Sequence, residues 1–137
     1  VTEQNKINRI KEQYPAIFKD CWQLDIDGGW DDLLRDFCER LAPLMADSQP
    51  EQKPTVQQIR EKYGTMQISM LYMTNEIYEL VDDIEERSRT ICCECGKPGQ
   101  NRCDLSWWAV LCDDHYRDAL EKQPKAAVLP FRPIVET

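Results

Sequence analysis

Two short segments, Cys92-Cys93-Glu94-Cys95-Gly96 and Cys112-Asp113-Asp114-His115, decide how the C-terminal third of this chain folds. They supply the pairs Cys92-x2-Cys95 and Cys112-x2-His115, with 16 residues between them. Zinc takes four soft or borderline donors at tetrahedral angles, and two compact turns can each present two of them. Gly96 suits a knuckle, because a chain that turns tightly with its N–H groups facing thiolates favours a residue without Cβ. Cys112 and His115 precede a helix-compatible stretch, Tyr116 to Gln123. Donors at i and i+3 in a first helical turn face one side. The pattern predicts a treble-clef-like finger, with a short hairpin around residues 101–111 between knuckle and helix. Four protein donors leave an ion no open position, so one structural Zn2+ is expected, not a catalytic one.

The chain has seven cysteines and a single histidine, His115. The odd count, and the absence of an apolar leader in the first fifteen residues, favour a reducing, cytoplasmic setting in which clustered cysteines bind metal. Cys93-x-Cys95 is too short for the usual knuckle, although Cys92 and Cys93 could exchange places as first ligand. Cys103 lies mid-loop without a paired partner and reads as a small, semi-buried residue. Cys21 and Cys38 read as core thiols, since no second imidazole exists to activate them. Three thiolates and a dication leave the centre negative, and Lys97, Arg102, Arg87 and Arg89 are placed to offset that charge.

Outside the cluster, 137 residues with 42% hydrophobic and 31% charged side chains describe a folded chain of one-domain size. No apolar run reaches the roughly 20 residues of a membrane span. The net charge is −8, from 25 acidic and 17 basic residues, which argues against charge-driven binding to nucleic acid or anionic lipid. Ile7, Ile10 and Tyr14 predict a helix over 5–14, stopped by Pro15. An irregular or short helical connection follows to residue 26, then a turn at Asp27-Gly28-Gly29. Trp30, Leu33, Leu34, Phe37, Leu41 and Leu44 mark a second helix. Residues 56–73 favour strand, and Gly64 divides them into a small antiparallel hairpin. Ile77, Leu80, Val81 and Ile84 predict a helix over 74–88. The fold class is therefore α+β, helices on a hairpin with a C-terminal finger. Residues 1–90 form the body, 91–123 a finger subdomain of the same domain, and 124–137 a proline-rich arm lying along it.

No phosphate-binding glycine loop, nucleophile elbow or H-E-x-x-H occurs. With its one imidazole already assigned, the chain has no histidine for HNH-type nuclease chemistry, and Asp25, Asp27, Asp31 and Asp32 read as helix-start carboxylates. No enzyme is expected. Glu76, Glu79, Asp83 and Glu86 form an acidic row on one helix, either a solvated face or a surface that imitates nucleic-acid phosphates. Of Trp107 and Trp108, one is expected to fill the finger's small core. The other is left partly exposed for a base or a partner's hot spot.

The stretches YPAIF, GWDDLLRDFCERL, IREKYGTMQIS, CCECGKPG and VLCDDH resemble an uncharacterised family of small zinc-binding phage and prophage proteins, over residues 14–116. The resemblance implies Cys92, Cys95, Cys112 and His115 as ligands and leaves Cys93 and Cys103 outside the pattern. Thr65 stands where that family commonly continues with a second glycine. The resemblance supplies a context, a bacterial host cytoplasm, and no mechanism; the leading expectation is an accessory protein acting there by binding a macromolecular partner. A defence or nucleic-acid-processing complex that it inhibits is the partner of first choice. The alternatives are a nucleic-acid-binding regulator using the finger and its arginines, and a metal-dependent hydrolase.

Overall fold

Ile7 and Ile10 are sealed from solvent while the residues around them are exposed, and that one-sided burial makes the first segment an amphipathic helix. In the computed structural model, which describes residues 3–123, it is α1 (Glu3–Gln13). Pro15 cannot continue it and instead opens a new turn, α2 (Pro15–Phe18). The chain then runs into β1 (Gln23–Asp25), a strand where a helical or irregular connection was expected. β1 lies parallel to β2 (Thr55–Lys62), with Leu24 opposite Ile59. Three residues are too few to show a period, and their partner lies some thirty residues ahead in the chain.

The helical turn Gly28–Trp30 leads into α3 (Asp31–Ala46), whose Leu33, Leu34, Phe37, Cys38, Leu41 and Met45 face inward. β2 returns through Tyr63-Gly64 to β3 (Thr65–Leu71), antiparallel and in register from Lys62↔Thr65 to Gln58↔Ser69, with a shift between Gln58 and Val56. Both turn residues have positive φ, 52° and 84°. That is the pattern of a tight two-residue hairpin, and it explains the glycine. The sheet order is β1-β2-β3. α4 (Asn75–Ser88) is capped by the Thr74 hydroxyl, which accepts the Ile77 amide at 3.3 Å. It also covers the open edge of β3. The Met66 N–H donates to the Ser88 hydroxyl at 2.9 Å, and the Ile68 N–H to the Glu85 carboxylate at 2.8 Å. Amides that would otherwise invite another strand are satisfied.

The finger follows. Ile91 bridges to Pro98, β4 (Gln100–Arg102) pairs antiparallel with β5 (Ala109–Leu111), and α5 (Asp113–Lys122) closes it. Cys92, Cys93, Leu105, Ala109 and Leu111 join the same buried cluster as Trp30, Phe37 and Ile84. The architecture is α+β, with the hairpin, helices and Cys/His-bearing C-terminal unit that the sequence implies. The proline-rich arm, 124–137, lies outside the described residues. Among the described residues no helix is long and apolar enough to cross a membrane.

Candidate metal centre

The knuckle is shaped by its backbone. The Cys92 N–H donates to the Lys97 carbonyl at 2.7 Å, and the Gly96 N–H to the Cys92 carbonyl at 2.9 Å. Closing so tight a loop puts Gly96 at φ +81°, a conformation costly for any residue with a Cβ. Across from it Cys112 is the N-cap of α5, its sulfur accepting the His115 amide at 3.5 Å. One residue therefore both starts the helix and aims a thiol at the knuckle.

These two local structures bring four side chains together. The Cys95 and Cys112 sulfurs are 3.7 Å apart. His115 Nδ1 lies 3.6 Å from the Cys92 sulfur and 3.2 Å from that of Cys112. All four donor atoms fall within 4.8 Å of one another, so the group can hold a metal ion. Cys92 is fully buried, His115 half-buried and Cys95 exposed. The His115 amide pulls the Cys112 thiol down to about 7.

The choice between Cys92 and Cys93 is decided by the backbone. Cys93 donates its N–H to the Val110 carbonyl at 2.9 Å and accepts from Gly29 at 2.8 Å. It is buried outside the donor group, and desolvation raises its thiol far above the usual range. Cys38 is a core thiol as expected, pushed up to about 12 by burial. Cys103 is exposed, not semi-buried; it directly follows β4, at the start of the β4–β5 loop.

Other expectations need correction. Arg87 does not offset the charge of the centre; it donates to Asp36 at 2.6 Å, while Arg40 reaches Asp83 at 2.8 Å. The four form a network tying α3 to α4, and the guanidinium groups hold both carboxyls below their ordinary range. Arg89 pairs with Glu86 at 3.2 Å. Arg102 does stay near the centre: it donates to the Leu111 carbonyl at 3.1 Å and to Asp113 at 2.8 Å, and stacks 4.3 Å from the Tyr116 ring. The acidic row is thus divided. Asp83 is tied down and Glu86 paired, while Glu76 and Glu79 are exposed on α4.

Neither finger tryptophan is buried; Trp107 is 55% and Trp108 47% exposed. The indole that reaches the finger from inside is Trp30, fully buried, whose Nε1 donates to the Ile91 carbonyl at 2.9 Å. Trp108 lies against Tyr63 instead, with ring centroids 5.6 Å apart. The Asn101 side chain donates to the Tyr63 carbonyl at 3.1 Å. An aromatic surface therefore spans the joint between the hairpin turn and the finger.

Comparisons with protein-family models, curated proteins and solved structures find no match to this chain. Function must be argued from the site itself.

Sequence reasoning missed the close seat of the knuckle on Gly29. A Cβ there would lie 2.5 Å from the Cys92 carbonyl oxygen and from Cys93. The paired glycines before Trp30 were the available signal, but a contact across more than sixty residues leaves no local pattern. Glu61 was missed too. Burial, then the charges of Asp27 and Asp25, push its carboxyl up to about 7.

Proposed function

We propose that this chain is a non-catalytic accessory protein whose finger is stapled by one structural zinc ion and whose joint presents a surface to a protein partner. The donor set supports zinc. A tetrahedron with Zn–S bonds of about 2.3 Å and a Zn–N bond of about 2.0 Å has edges of about 3.8 Å (S to S) and about 3.5 Å (S to N). The 3.7 Å and 3.6 Å separations lie close to these values, the Cys112–His115 separation of 3.2 Å is shorter, and the whole set spans at most 4.8 Å. When bound, the ion supplies cross-linking and charge neutralisation. With four protein donors it offers no position for substrate.

The observation that carries the binding reading is the exposed group Tyr63, Trp107 and Trp108. Large aromatic side chains left in water on a small protein are the usual anchors of an interface. One member of the group, Tyr63, comes from the body and two, Trp107 and Trp108, from the finger, so its assembly depends on the metal-organised fold. The net charge of −8, with Glu76 and Glu79 exposed, favours a partner with a basic surface. A nucleic-acid-processing protein of a bacterial host, met in its cytoplasm by a phage-type inhibitor, fits that description. Direct binding of nucleic acid is the weaker reading, because Arg87, Arg89 and Arg102 are already paired with carboxylates.

Affinity capture from bacterial lysate tests this. A partner retained by the native chain should be lost with Trp108→Ala, by about 30-fold if the residue is a hot spot of about 2 kcal/mol. Its retention should also weaken in salt. Retention unchanged by Trp108→Ala and by Tyr63→Ala would reject the aromatic surface.

A further inference from the structure

We propose that the metal centre is also an oxidant-sensitive site, entered at Cys95 and closed off as a Cys95–Cys112 disulfide by a peroxide-class oxidant. The inference rests on the zinc reading above and extends it to the reactivity of the donors.

The three sulfurs are not equivalent. Cys95 is exposed, Cys112 is 8% exposed and Cys92 is fully buried. A small oxidant meets Cys95 first, because its sulfur is the exposed one of the three. The Cys112 sulfur is 3.7 Å from it, so the pair needs to close by about 1.7 Å to reach disulfide bonding distance. Cys92 is the disfavoured resolving partner because it is fully enclosed. Cys93 faces away, its N–H and carbonyl engaged by Val110 and Gly29. Cys103 is exposed but stands outside the donor group.

The chemistry balances without a further reagent. The Cys95 thiolate attacks one peroxide oxygen, the O–O bond breaks, and a sulfenic acid forms as hydroxide departs. The Cys112 thiolate then attacks the Cys95 sulfur, forming the S–S bond and releasing a second hydroxide. Two thiolates give up two electrons, and the peroxide takes both. Cys92 and His115 alone then remain, too few donors to retain a structural ion. Cys112 also ceases to be a free cap for α5, so the finger loosens and Trp108 loses its seat beside Tyr63. Thiol reductant with added zinc reverses the change.

The test uses the full chain with its native zinc and a Cys103→Ser background, which removes the competing exposed thiol. Stoichiometric hydrogen peroxide should release one zinc per chain, read with a chromogenic chelator. Fragment-ion mass spectrometry should find the new bond between Cys95 and Cys112. A Cys112→His variant keeps four donors and removes the resolving thiol. It should accumulate a Cys95 sulfenic acid that dimedone traps. Zinc retained under peroxide, or a disulfide joining Cys92 to Cys95, would overturn the proposal while leaving the zinc reading intact. A protein purified without zinc would reject the zinc reading first.

Discussion

The body and the finger are held together by different means. In the body Trp30, Phe37, Leu33, Leu34, Ile59, Ile77 and Ile84 are almost wholly buried, each adding about 1.5–3 kcal/mol of apolar transfer. The finger buries small residues, Ala109, Val110, Cys92, Cys93 and Cys112, with Leu105 and Leu111, and α5 has no fully buried side chain, only Tyr116 and Ala119 half-buried against the core. What fixes α5 is polar: the Cys112 cap, the Arg102–Asp113 pair at 2.8 Å, and the donor His115. A helix whose apolar anchorage is two half-buried residues, Tyr116 and Ala119, depends heavily on such cross-links. The contrast predicts that the body tolerates metal removal better than the finger does.

The largest effect should come from removing the metal. Cys95→Ser, or a strong chelator, should abolish hydrogen-exchange protection across β4, β5 and α5 while α3 and α4 remain protected. Simultaneous loss of protection in α3 would show that the two regions do not differ as described. Next, Phe37→Ala should cost about 3–5 kcal/mol in urea unfolding by opening a cavity in the body. Its zinc content should be unchanged. Gly29→Ala strikes the seam between the regions, and forcing a Cβ against the Cys92 and Cys93 backbone should cost about 1–3 kcal/mol. Unlike Phe37→Ala it should weaken zinc retention in competition with a chelator; unaltered retention would show that the seam does not position the knuckle.

The smallest effect concerns pH. The Glu61 carboxyl titrates near 7 in the folded chain, against an ordinary value of 4.5. As pH rises from 4.5 to 7 the unfolded chain ionises first, so this group withdraws stability across that window and none further above it. Water reaches part of the carboxylate, so the effect is discounted to about 1 kcal/mol. Glu61→Gln should therefore stabilise the chain by that amount at pH 8 and by progressively less toward pH 5.5. Urea midpoints of both proteins across this range provide the check, and an equal difference at every pH would refute the assignment.

Local signals carried much of the structure. The spacing of Ile77, Leu80, Val81 and Ile84 marks α4, and Gly64 marks the hairpin. The two i, i+3 pairs name the four donors, with Cys92 and Cys93 left for the structure to separate. Features that rest on distant partners were not legible. β1 is a strand only because β2 comes to lie beside it, and Arg87 finds Asp36 across two packed helices. The indole buried near the finger belongs to Trp30, some sixty residues before the knuckle, so weighing Trp107 against Trp108 missed it. Charge and aromatic content can be read from a sequence, but which of those groups are already engaged depends on tertiary pairing.

X-ray absorption at the zinc edge, on full-length protein purified without added metal, tests the central claim most directly. The account predicts one zinc per chain with three sulfur neighbours at about 2.3 Å and one imidazole nitrogen at about 2.0 Å. Zinc well below one per chain, or a shell completed by oxygen in place of one of these donors, would contradict it.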